Sequence, residues 1–173
     1  MALYVAFLRA INVGTRRVSK DRLVKPFEEL GFDDVSTFIA SGNVIFRTSD
    51  KASDAEPAIE AALGKALGFE VVTFVRSRSA VARVVRDQPF GGSEDLVHVG
   101  FLRKAPAASV RRAVEDLGNE HDEVTTRGKE LYWEARNGMG RATLSGAALE
   151  KALGQPMTLR SLKMLKRLEA KLE

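Results

Sequence analysis

Two spacings of apolar residues run through this chain. One is short and continuous or alternating, as in strands; the other returns every three to four residues, as on one face of a helix. Residues 2–9, ALYVAFLR, are a short apolar run closed by a polar loop over 10–18, which predicts a strand. Ser19 is a candidate N-cap for a helix over 20–30, with Leu23, Phe27 and Leu30 on one face and Gly31 as its stop. VSTFIA (35–40) and NVIFRT (43–48) flank Ser41-Gly42 and predict a hairpin. Ser53 and Glu56 have capping-box spacing ahead of a helix over 54–67, which Pro57 opens and Gly68 ends. EVVTFVR (70–76) predicts another strand. The resulting β-α-β-β-α-β order is the split βαβ arrangement of ferredoxin-like folds.

Most of that order recurs. A helix over 79–87 starts at Ser79 and stops near Pro89, followed by the loop PFGGSED and a strand over 96–102. Pro106 and Gly118 bracket a helix over 106–117. DEVTTR (122–127) and ELYWEAR (130–136) flank Gly128-Lys129, a second hairpin signal. Helices over 145–153 and 158–172 close the chain, the last carrying Leu159, Leu162, Leu165 and Leu168 at every third position. The expected fold is therefore α+β: two ferredoxin-like subdomains, 1–77 and 78–173, each an antiparallel-containing sheet with helices on one face. The second also holds the C-terminal helices.

Composition narrows the chemistry. The 173 residues include no cysteine, which excludes disulfides, thiolate zinc sites, iron–sulfur clusters and cysteine nucleophiles. MALYVAFLRAINVG lacks a leading basic region and a small-residue cleavage site, so it reads as a strand and not a signal peptide. With no apolar stretch of membrane-spanning length, the expectation is a soluble, cytoplasmic protein without membrane contact. The two histidines, His98 and His121, have no partner at metal-ligand spacing, and no phosphate-binding Walker loop is present. Neither a metal nor a cofactor is expected. The net charge of +4 is a mild tilt, so nucleic acid is a possible but not favoured partner. Positive charge does gather locally: Arg9, Arg16, Arg17, Lys20, Arg22 and Lys25 stand against Asp21 alone in the first 25 residues.

In a split βαβ unit the first two strands are parallel, with the third between them, so the first loop and the hairpin tip leave the sheet at one edge. That edge would gather Arg9, Asn12, Gly14, Arg16 and Arg17 beside Ser41, Gly42 and Asn43. Guanidinium, amide and hydroxyl groups with glycines nearby suit a phosphate or carboxylate. The competing reading is that Asn12 and Asn43 only bond loop and turn backbone. Gly138-Met139-Gly140-Arg141 offers a weaker place for an anion. Since the first cluster lacks a general base, the leading expectation is a binding module for an anionic small ligand. The alternatives are an enzyme acting on a phosphorylated small molecule, or a module for single-stranded nucleic acid or protein. No residue is marked as catalytic, and the sequence is silent on oligomeric state.

LRAINVG (8–14) and TFIASGNVIF (37–46) together make the chain resemble the family called domain of unknown function 1697 (DUF1697). The resemblance covers essentially the whole chain, with Pro89-Phe90 and LYWEA (131–135) fitting more loosely. It implies two linked ferredoxin-like subdomains and no activity, since the family has none assigned. Near the C-terminus the family usually follows Thr-x-Arg with Asn and Trp, whereas this chain has Thr158-Leu159-Arg160 followed by Ser161-Leu162. No role is carried over from that pair.

Overall fold

The computed structural model describes residues 1–39 and 42–173. The chain divides into two compact units, one of residues 1–81 with Leu172 and one of residues 82–171 with Glu173. In the first, β1 (Ala2–Leu8), β2 (Asp33–Thr37), β3 (Asn43–Thr48) and β4 (Thr73–Ser77) form a sheet of order β2-β3-β1-β4. Every neighbouring pair is antiparallel. Helices α1 (Lys20–Glu29) and α2 (Ala52–Leu67) cover one face. The alternation of β1 puts Ala6 and Leu8 on that face with Val44, Phe46 and Val75, against Leu23 and Phe27 of α1 and Ile59 and Leu63 of α2. Phe46 sits at the centre, 4.9 Å from the Phe32 ring and 5.4 Å from that of Phe27. Ser19 caps α1 through its hydroxyl, as its position in the sequence suggests.

The second unit repeats the plan with β5 (Val97–Phe101), α4 (Ala108–Glu115), β6 (Asp122–Arg127), β7 (Glu130–Ala135), α5 (Gly146–Leu153) and β8 (Thr158–Ser161), in the order β6-β7-β5-β8. α3 (Arg78–Arg86) lies between the sheets in sequence, and α6 (Leu162–Leu172) ends the chain. The α+β class and the repeated split βαβ arrangement thus match the expectation.

Three local readings are corrected. Residues 158–161 are not the first turn of the last helix but the edge strand β8, paired with β5 from Thr158↔Phe101 to Ser161↔His98. Ser161 then caps α6 by accepting the Met164 N–H. Within β8, Arg160 is buried and donates to Thr158 Oγ1 (2.7 Å) and the Leu159 carbonyl (2.8 Å); burial pulls its guanidinium down to about 10. Ser53 and Glu56 form no capping box. α2 starts earlier, after Lys51, without a side-chain cap. Glu56 instead accepts the Val75 N–H of edge strand β4 (2.9 Å), satisfying a backbone donor that the sheet leaves open. Likewise Ser77, not Ser79, accepts the Ala80 N–H at the start of α3.

Candidate functional site

The loop from β1 to α1 is held by its own polar groups. Asn12 takes a left-handed backbone (φ 58°), and its Oδ1 accepts the Val18 N–H at 2.8 Å, closing the loop over residues 12–18. Arg17 donates to the Asn12 carbonyl at 3.1 Å. Across the sheet edge, Leu8 N–H donates to the Gly42 carbonyl (2.8 Å) and Asn43 Nδ2 to the Phe38 carbonyl (2.9 Å), so loop and hairpin are fastened to the same strand end. Gly42 is required there. Its φ is +82°, and a Cβ would lie 3.1 Å from Ile11 Cβ and 3.2 Å from the Leu8 carbonyl.

Between loop and hairpin lies a cavity of ≈ 320 Å³ lined by Asn12, Val18, Lys20, Leu23, Thr37, Ile39, Gly42 and Asn43. Its walls are mainly apolar, and Lys20 is the one charged residue among the described lining residues. Three non-glycine residues at this edge have left-handed backbones: Ala10 (58°), Asn12 (58°) and Ile39 (55°). For a β-branched residue such as Ile39 that conformation is a genuine outlier.

The expected cluster is thus divided. Asn12, Gly42 and Asn43 meet around the cavity, and both asparagines also bond backbone, as the competing reading held. Arg9 and Arg16 line a separate recess of ≈ 220 Å³ with Ala10, Glu70 and Val72, and the Arg16 guanidinium lies 4.6 Å from the centroid of the Phe69 ring. Gly14 (φ 61°) lies in the exposed loop and lines neither. Ser41 falls outside the described residues. Sequence reasoning missed Val18, Lys20, Leu23, Thr37 and Ile39. Lys20 was visible as a basic residue directly after the helix cap, whereas nothing in the sequence marks the backbone of Ile39.

In the second unit, the Asp122 network serves structure. Asp122 is fully buried, and its carboxylate accepts Trp133 Nε1 (2.7 Å), Thr143 N (2.7 Å) and Thr143 Oγ1 (2.5 Å). Burial alone would raise its carboxyl, but these bonds outweigh it and hold the group below its ordinary range. They tie the Met139–Arg141 turn, which follows Gly138, to the second sheet and use the Thr143 amide just beyond it. His98 lies half-buried on β5, where burial pushes its imidazole down, and His121 bonds the side chain of Asn137 (2.9 Å). Among the described residues, no group of three or more His, Asp and Glu is placed to hold a metal ion, and no helix is long and apolar enough to cross a membrane.

The model of the family described as "Protein of unknown function (DUF1697)" matches residues 1–132. No curated protein matches the sequence. Among solved structures, the chain is similar to the conserved bacterial protein SP0830 from Streptococcus pneumoniae. Identity is 20%, the TM-score is 0.73, and the match covers 99% of this chain and 98% of that one, a likeness of fold.

Proposed function

The chain belongs to the DUF1697 family of proteins of unknown function, and we propose that it is a binding module whose first unit takes a small anionic ligand in the cavity between the β1–α1 loop and the first hairpin. The observation that carries this reading is the strained rim. Ile39 lines the cavity with a backbone that costs on the order of 1–3 kcal/mol, a strain that the fold keeps where it serves a site. Lys20 supplies the charge that selects an anion, and Val18, Leu23 and Ile39 supply the surface for an apolar body.

Size restricts the ligand. At about 30 Å³ per water-sized group, ≈ 320 Å³ holds roughly ten non-hydrogen atoms, which suits a short-chain or single-ring acid and does not enclose a nucleotide. The lining contains no carboxylate or imidazole among the described residues, so binding is favoured over hydrolysis. Single-stranded nucleic acid is disfavoured because, among the described residues, the exposed large hydrophobic side chains include no aromatic ring on which a base could stack.

The test is a thermal-shift series of short aromatic and aliphatic carboxylates and phosphates, each paired with its neutral amide or alcohol, on wild type and Lys20→Ala. A ligand at 100 times its Kd adds about 2.7 kcal/mol, several degrees for a chain of this size. Stabilisation by acids alone, lost in Lys20→Ala, is the expected result. Equal effects of acids and neutral partners reject the reading.

A further inference from the structure

The two units share a short stretch of sequence at one place in the fold. Val5-Ala6-Phe7-Leu8-Arg9 runs off the end of β1, and Val99-Gly100-Phe101-Leu102-Arg103 runs off the end of β5. The bonding repeats as well. Leu8 N–H donates to the Gly42 carbonyl at 2.8 Å, and Leu102 N–H to the Lys129 carbonyl at 2.9 Å, each just before the strand that pairs with β1 or β5. Phe7 is in register with Asn43 and Phe101 with Glu130, each partner being a fully buried polar residue. Arg9 and Arg103 are therefore equivalent positions, and each borders a recess between the same two loops of its own unit.

The two recesses differ in charge. Around Arg9, Glu70 offsets part of the positive charge. Around Arg103 the recess is larger, ≈ 340 Å³, and its lining holds Lys104 as a second cation and no carboxylate. Its walls include Pro106, Val110 and Leu153. Gln155 fixes the cationic loop: its Oε1 accepts the N–H groups of Arg103 (3.1 Å) and Lys104 (3.2 Å), and its Nε2 donates to the Lys104 carbonyl (2.9 Å). A loop held this way loses little freedom when a ligand arrives.

We propose that this recess of the second unit is a further binding site, for the oxyanion group of a small molecule whose apolar part lies on Pro106, Val110 and Leu153. Arg103 and Lys104 provide the charge, and Gln155 keeps their backbone in place. The site is independent of the cavity in the first unit, and either can fail alone.

The experiment is an amide-shift titration of the 15N-labelled full-length protein with inorganic phosphate and with phenyl phosphate at constant ionic strength, with chloride as control. Saturable shifts at Arg103, Lys104 and Gln155 are expected, with phenyl phosphate the tighter because it adds the apolar contact. Lys104→Glu, at an exposed position, and Arg103→Ala should each weaken binding about tenfold or more. Should Arg103→Ala not fold, Lys104→Glu decides alone. Shifts that chloride reproduces, that never saturate, or that survive Lys104→Glu unchanged overturn the proposal.

Discussion

Asp122→Asn removes one charge from a buried network while keeping the shape of the side chain. The amide can still offer one oxygen to Trp133 Nε1–H, but its NH2 group then faces the Thr143 N–H, donor against donor. An orphaned buried donor costs about 1–3 kcal/mol, and a bond to a charged acceptor is worth about 1.5–3 kcal/mol. The loss should total about 2–4 kcal/mol, a large part of a typical stability of roughly 5–15 kcal/mol. Trp133 is the chain's single tryptophan, so urea unfolding followed by its fluorescence reads the second unit directly. With a slope of ~2 kcal/mol/M, the midpoint should fall by roughly 1–2 M at neutral pH. The pH dependence has a definite sign. The folded carboxyl titrates below its ordinary value, so the unfolded chain binds the proton first. The stabilisation is complete above the unfolded value of about 3.9 and disappears as pH falls through the folded value. Wild type and variant should converge there, because a protonated Asp122 also presents a donor. A midpoint change worth under about 1 kcal/mol at pH 7, or a gap that persists unchanged into strong acid, would refute the reasoning.

Gly42→Ala meets both a forbidden backbone and the 3.1 Å approach of Ile11 Cβ; it should cost about 2–4 kcal/mol and lower the melting temperature clearly, whereas an unchanged melt would contradict the packing described. Ile39→Asn should be nearly neutral, within about 1 kcal/mol, because asparagine tolerates the left-handed backbone and the relief offsets lost burial of a side chain already 40% exposed. A loss above about 2 kcal/mol in a melt would show that Ile39 is not strained.

The first unit was largely readable because its signals are local: Ser19 caps its helix, alternation sets the faces of β1 and β3, and Gly31 and Gly68 end their helices. Strand β8 was not. Thr158–Ser161 is four residues long, and its Leu159 falls in step with the leucines of α6, so the spacing reads as one helix. Only pairing with β5, distant in sequence, makes it a strand. Glu56 shows the same effect, since its bond to Val75 depends on where α2 packs. At the site, topology correctly brought Asn12 to Gly42 and Asn43. The direction in which Arg9 and Arg16 leave the loop, and the left-handed turn at Ile39, are set by tertiary packing that residue type does not reveal.

Whether the first-unit cavity holds a small anion is decided by titrating the 15N-labelled full-length protein with benzoate against benzamide and mapping the amide shifts. An anion site there gives saturable shifts at Asn12, Val18, Thr37 and Asn43 with benzoate, absent with benzamide and at least about tenfold weaker in Lys20→Ala. Indifference of those amides to every concentration of benzoate, or an equal response to benzamide, would contradict it.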